Sequence, residues 1–165
     1  MGRLYILFAF SIWSMIGEGQ NAAILHVGAR QPYATIHAAY AKARTGDSIF
    51  VHAGSYAEGN LAIDKPVALI GIGYPVLDGQ HSCEIFTVTA SDVCIRGFEI
   101  RNSGQLSTLD VAGIKVLSAD RVVVENNRLR DCNFGIYLSN TNDCRVMRNE
   151  VQGIIKEEQN SDNGI

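Results

Sequence analysis

Charge is thin in this chain. Only 19% of its 165 residues are charged against 47% hydrophobic, which argues against a disordered polymer. The formal net charge is −3, so there is no basic excess with which to track a phosphate backbone. Proline is scarce at 3 residues while glycine reaches 16 and asparagine is common, a turn-rich composition without low complexity. No Cys-x-x-Cys occurs, and no Cys/His set has zinc spacing. No Asn-x-Ser/Thr acceptor occurs either. A long segment of 3.6-residue apolar period is also lacking, which disfavours leucine-rich and helical repeats.

The length is that of one domain, preceded by a segment of different character. "MGR" sets a positive charge at the start, "LYILFAFSIWSMI" (4–16) is uncharged, and "GEGQNAA" follows with small residues. This is the layout of a secretory signal peptide over residues 1–22, with cleavage between Gly19 and Ala23. The apolar run is short of the about 20 residues that a membrane span needs. A periplasmic or otherwise exported domain over 23–165 is therefore expected. In an oxidising compartment Cys83, Cys94, Cys132 and Cys144 would be structural thiols or form one or two disulfides, with three full connectivities open.

What the sequence does have is repetition. "AGIKVLSADRVVVENNRL" (112–129) and "FGIYLSNTNDCRVMRNEV" (134–151) agree without a gap at an offset of 22 residues, Gly113 with Gly135, Ile114 with Ile136, Val124 with Val146 and Asn127 with Asn149. Upstream, "VCIRGFEI" (93–100) falls on "VVVENNRL" at an offset of 29, and "EIFTV" (84–88) on "GIKVL" (113–117) at the same offset. "VALIGIG" (67–73) precedes "VCIRGFE" by 26, and "NGI" (163–165) follows "FGI" by 29. Repeats of this period signal stacked architecture. Within each unit short apolar alternations are bounded by Gly, Asn, Asp and Ser, the mark of strands. Two or three short strands per turn predict an all-β, right-handed parallel β-helix in which equivalent positions of successive coils stack.

Two details follow from that stack. Asn127 and Asn149 occupy one repeat position and are expected to bond up and down the pile. "TIHAAYAKA" (35–43) carries Ile36, Ala39, Tyr40 and Ala43 on one stripe, a helix with Thr35 as N-cap and Gly46 as its stop. It is read as the N-terminal capping helix before a first strand at 48–54, with His37 solvated on its outer side. The chain closes on "SDNGI" where a new coil would begin, so a stack truncated at its C-terminal end is expected.

The segment "YATIHAAYAKARTGDSIFVHAGSYAEGNLAIDKPVALIGIGYPVLDG" (33–79), with the later "aGI-x-V…N-x-L" coils, resembles the periplasmic NosD family. It is similar also to the wider carbohydrate-binding and sugar-hydrolase group of right-handed β-helices. The resemblance implies an exported accessory protein rather than an enzyme. Its implied partners are an ABC-type ATPase and permease and a copper enzyme, nitrous-oxide reductase, whose copper sites it helps mature.

The residues supply few candidates for chemistry. Copper favours thiolates, thioethers and imidazoles brought together. The densest local set is "DGQHSCE" (78–84), where His81 and Cys83 are two apart and form the candidate metal pair. His26 and His52 lie on or near the first strands, and Met147 is read as facing outward without a partner. The competing class is a polysaccharide-binding or polysaccharide-cleaving protein, with Asp110, Asp131, Asp143, Arg121, Arg130 and Arg145 as candidates. Tyr137 and Phe98 are its sparse aromatic platforms. A plain surface or adhesion solenoid is the third class.

Overall fold

The computed structural model describes residues 22–104 and 110–153. The chain enters through β1 (Ile24–Val27) and α1 (Ile36–Lys42). The first coil runs through β2 (Ser48–His52), β3 (Ser55–Tyr56) and β4 (Leu61–Ile63), and the second through β5 (Ala68–Ile72), β6 (Val76–Asp78) and β7 (Phe86–Val88). The third comprises β8 (Cys94–Arg96), β9 (Glu99–Arg101) and β10 (Ala112–Leu117). The fourth holds β11 (Val123–Glu125), β12 (Arg128–Arg130) and β13 (Phe134–Ser139), and β14 (Arg145–Met147) and β15 (Glu150–Gln152) begin the next. Every pairing joins a strand to its equivalent one coil away and is parallel, so three sheets form. Sheet 1 is β1-β2-β5-β8-β11-β14, sheet 2 is β4-β7-β10-β13 and sheet 3 is β3-β6-β9-β12-β15. This is the expected right-handed parallel β-helix.

Apolar columns hold the coils together. Leu25, Ile49, Leu69, Ile95 and Val124 stack in register inside sheet 1, and all are buried. Sheet 2 contributes Leu61, Phe86, Ile114 and Ile136, and sheet 3 Tyr56, Leu77, Ile100 and Leu129. Each such side chain contributes about 1.5–3 kcal/mol by leaving water, and none could bury itself within a single coil.

The corners are built from left-handed backbone. Gly97, Asn126 and Arg148 have φ of 79°, 54° and 55° at one corner, and Asp92, Arg121 and Asp143 have 61°, 56° and 54° at another. Gly and short polar residues adopt this conformation most readily, which is why Asn and Asp punctuate the strands. Gly71 and Gly97 meet a stricter demand: a Cβ on Gly71 would lie 2.2 Å from the Gly97 carbonyl oxygen.

Three readings need correction. The first strand is β1, which pairs with β2 through Leu25 and Ile49, so α1 is inserted between the first two strands rather than standing ahead of them. The helix keeps its Thr35 N-cap but closes at Ala43, three residues before Gly46, because the Ala43 N–H already donates to the Ala39 and Tyr40 carbonyls. In sheet 2, Phe86 and not Ile85 pairs with Ile114, an offset of 28. Val88 and Ile95 are separated by one residue fewer than Val116 and Val124, and the shorter corner shifts the register by one. Residues 1–21 of the 1–22 segment read as a leader, and the "NGI" at 163–165, lie outside the described residues.

Candidate functional site

The 78–84 turn is organised by its own backbone. Gln80 and His81 both have positive φ, 52° and 55°. Asp78 Oδ1 accepts from the Gln80 N–H at 2.9 Å, and the His81 N–H donates to the Asn102 carbonyl at 2.8 Å. The His81 side chain is exposed; Cys83 is half-buried and its Sγ lies 3.6 Å from the Gly79 carbonyl oxygen. An imidazole and a thiol suit copper(I), but these are two donors on one exposed turn, so a closed site would require another donor. Among the described residues no three or more His, Cys, Asp or Glu side chains gather around one point.

The structure does bring His26 and His52 together. His26 sits on β1 opposite Phe50 of β2, and His52 follows two residues later on the same outer face. His26 Nδ1 and His52 Nε2 are 3.0 Å apart, one ring donating and the other accepting. The two ring centroids are 5.3 Å apart, and the Phe50 ring meets His26 edge-on at 5.6 Å. The spacing of 26 residues hides this pair from local motif reading; it becomes visible only once β1 is placed in sheet 1.

His37 keeps a 43% exposed side chain, as expected on the outer side of the helix, but it is also engaged by partners. Its Nδ1 lies 2.9 Å from Glu58 Oε2 and its Nε2 3.1 Å from the Asn60 carbonyl oxygen. Glu58 also accepts from the Ile36 and His37 backbone N–H groups at 2.9 and 3.0 Å. A carboxylate from the following coil thus satisfies the open amides of the helix N-terminus. Beside it Ile36, Tyr56, Leu61, Leu77 and Phe86 line a cavity of about 20 Å³, room for one water.

The acidic and basic candidates are dispersed. Asp131 and Asp143 have φ of 49° and 54° and occupy corners for backbone reasons. Arg121 forms a two-pronged ion pair with Asp92, both contacts at 2.7 Å, which holds the Asp92 carboxyl below and the Arg121 guanidinium above its ordinary range. Arg130 contacts Gln152 and Glu150 at 3.1 and 3.4 Å. Asp110 and Arg145 are exposed at separate places on the surface. Phe98 is fully buried against Phe86, with centroids 5.7 Å apart, so it belongs to the core and cannot stack on a sugar. Tyr137 is half-buried, 5.7 Å from the Phe134 ring, with the Lys115 ammonium over its face. Met147 stands on an outward column next to Glu125 and is half-buried.

The four cysteines are free thiols. Burial raises the pKa of Cys132, the most deeply enclosed, and also that of Cys94. No helix among the described residues is long and apolar enough to cross a membrane.

These features define a parallel β-helix protein whose outer faces carry histidines, ion pairs and half-buried aromatics. The particular resemblance is to NosD. The chain is 34% identical over 102 residues to a Pseudomonas aeruginosa protein named "Probable ABC transporter binding protein NosD", and 30% identical over 102 residues to a Stutzerimonas stutzeri protein of the same name. Each match covers 61% of this chain but 24% and 23% of those proteins, so it spans about a quarter of the length of the curated relatives. Among solved structures, the chain resembles pectin methylesterase in complex with hexasaccharide VII at a TM-score of 0.54 and 19% identity, covering 73% of this chain and 46% of that one. A pectin methylesterase variant with hexasaccharide IV gives the same TM-score at 18% identity, covering 75% and 48%. At such identity the likeness concerns the fold. No family model matches the chain.

Proposed function

We propose that this chain is part of an exported, non-catalytic accessory protein that works beside an ABC-type ATPase and permease and assists the copper-site maturation of nitrous-oxide reductase. The observation that carries this reading is the 34% identity over 102 residues to a protein named as an ABC transporter binding protein. The leader-like residues 1–22 support export. A β-helix suits the role, since rigid stacked coils present side chains at fixed intervals to a partner. Copper in this reading is cargo, and His81 and Cys83 are the candidate contacts on the chain's side. The test is genetic and biochemical together. Cells lacking the chain should make nitrous-oxide reductase depleted in copper, and the tagged full chain should co-purify with the ATPase and permease. A fully copper-loaded enzyme and no complex would sink the reading.

The second reading is polysaccharide binding, favoured by Tyr137 and Phe134 together on sheet 2 beside Lys115. Retarded migration of the chain in a gel cast with an acidic polysaccharide, lost in Tyr137→Ala, would favour it over the first.

A further inference from the structure

We propose that His26 and His52 form a two-imidazole site for a divalent first-row transition-metal ion. The geometry is close to what such an ion requires. Zinc–nitrogen bonds of about 2.0–2.1 Å at a tetrahedral angle set two ligating nitrogens roughly 3.3 Å apart. His26 Nδ1 and His52 Nε2 already stand 3.0 Å apart, so a small rotation of either ring opens the gap. For both nitrogens to ligate, the ring that now donates takes its other tautomer, its proton moving through solvent to its second nitrogen, and the ion sits off the line that joins the two ligating nitrogens.

The backbone holds both rings in place. β1 and β2 fix His26 opposite Phe50, and the His52 carbonyl oxygen accepts from the Tyr56 hydroxyl at 2.8 Å. Gly28 leaves the space beside His52: a Cβ there would lie 3.1 Å from the His52 Cβ, and its φ of 143° disfavours a side chain in any case. The Phe50 ring lies edge-on to His26 and shields one flank. Neither His26 Nε2 nor His52 Nδ1 takes part in a hydrogen bond among the described residues, so either of these nitrogens can carry its ring's proton when the other nitrogen ligates. The other two histidines are placed differently. His37 is engaged by Glu58 and Asn60, and His81 stands exposed on its turn.

Two protein donors leave two positions of a tetrahedral ion open to water or to a donor from a partner. Such a site captures and releases rather than holding its ion permanently. The inference stands on the geometry of sheet 1 and does not depend on the copper-maturation reading.

The test is calorimetric titration of the full chain with zinc chloride in a non-chelating buffer at neutral pH. One zinc ion per chain should bind, and His26→Gln and His52→Gln should each weaken binding about tenfold or more, as loss of a metal-site group commonly does. A His81→Ala/Cys83→Ala double variant should bind as the parent does. The proposal is overturned if the parent takes up no zinc, if both glutamine variants bind like the parent, or if the double variant alone loses binding. Circular dichroism checks each variant's fold; should His26→Gln unfold the chain, His52→Gln alone decides the matter, since His52 ends the inner strand β2 whereas His26 lies on the edge strand β1.

Discussion

The side-chain oxygen of Asn149 accepts two hydrogen bonds from Asn127, one from its backbone N–H at 3.0 Å and one from its Nδ2 at 3.1 Å. Asn127 passes the link on, with its Oδ1 accepting from the Phe98 N–H and its Nδ2 donating to the Ile95 carbonyl. Asn127 is 1% exposed, so this ladder satisfies backbone groups that no water reaches. Asn127→Leu should therefore destabilise the protein by about 1–3 kcal/mol, the penalty of leaving buried polar groups unpaired. Asn149→Ala, at a half-buried position, should have a smaller effect. Urea midpoints compare the two; equal midpoints for parent and Asn127→Leu would show that the ladder contributes nothing.

Val124→Asp should abolish folding. Val124 is fully buried between Ile95 and Val146, and a carboxylate there would be unpaired, at several kcal/mol. A variant with the parent's circular dichroism spectrum would mean that this face of sheet 1 is not the interior.

Gly71→Ala should be more damaging than Gly46→Ala. The first substitution drives a Cβ to 2.2 Å from the Gly97 carbonyl oxygen, backbone that cannot swing aside. The second meets nothing within 4 Å and is opposed only by its φ of 89°, at about 1–2 kcal/mol. Thermal denaturation ranks them, and the reverse order would contradict the close approach of these coils.

Asp47 gives the acid limb of stability a named source. It is 6% exposed, and its carboxylate accepts from the Arg44 and Ala23 backbone N–H groups, both at 2.7 Å. These bonds, that from Arg44 first, hold its pKa below the ordinary value. The stabilisation is complete above the unfolded-state pKa of about 3.9 and is lost as pH falls through the lower folded-state value. Asp47→Asn should flatten the loss of melting temperature between mildly and strongly acidic buffer. An unchanged acid limb in the variant would assign that limb to other carboxylates.

The cysteines predict a thiol count. Alkylation in denaturant without reductant should add four labels, at Cys83, Cys94, Cys132 and Cys144. In the native protein Cys132 should react most slowly, since it is buried and its thiol is held protonated. Two or no labels would establish disulfides instead.

The stack is legible in the sequence because its physics is repetitive. Leu69 with Ile95, Ile95 with Val124 and Leu129 with Val151 pair as the offsets of 26, 29 and 22 require. What stays hidden has identifiable causes. β1 is four residues long and follows the leader-like segment, so its pairing with β2 has no local signature. The register at Phe86 does not follow from one offset around the whole coil, because the extra corner residue between Val116 and Val124 changes that offset from 28 to 29. The partners of His37 and the approach of His26 to His52 span 21 to 26 residues, which a fold must supply before any motif can.

The three sheets also act as a ruler. Neighbouring strands are about 4.8 Å apart, so the six strands of sheet 1 span roughly 24 Å while every strand keeps its direction. Corner insertions change how many residues a coil contains without changing its rise. Two side chains on one column can therefore drift apart along the chain through insertion and deletion while their separation in space, as seen by a binding partner, stays fixed.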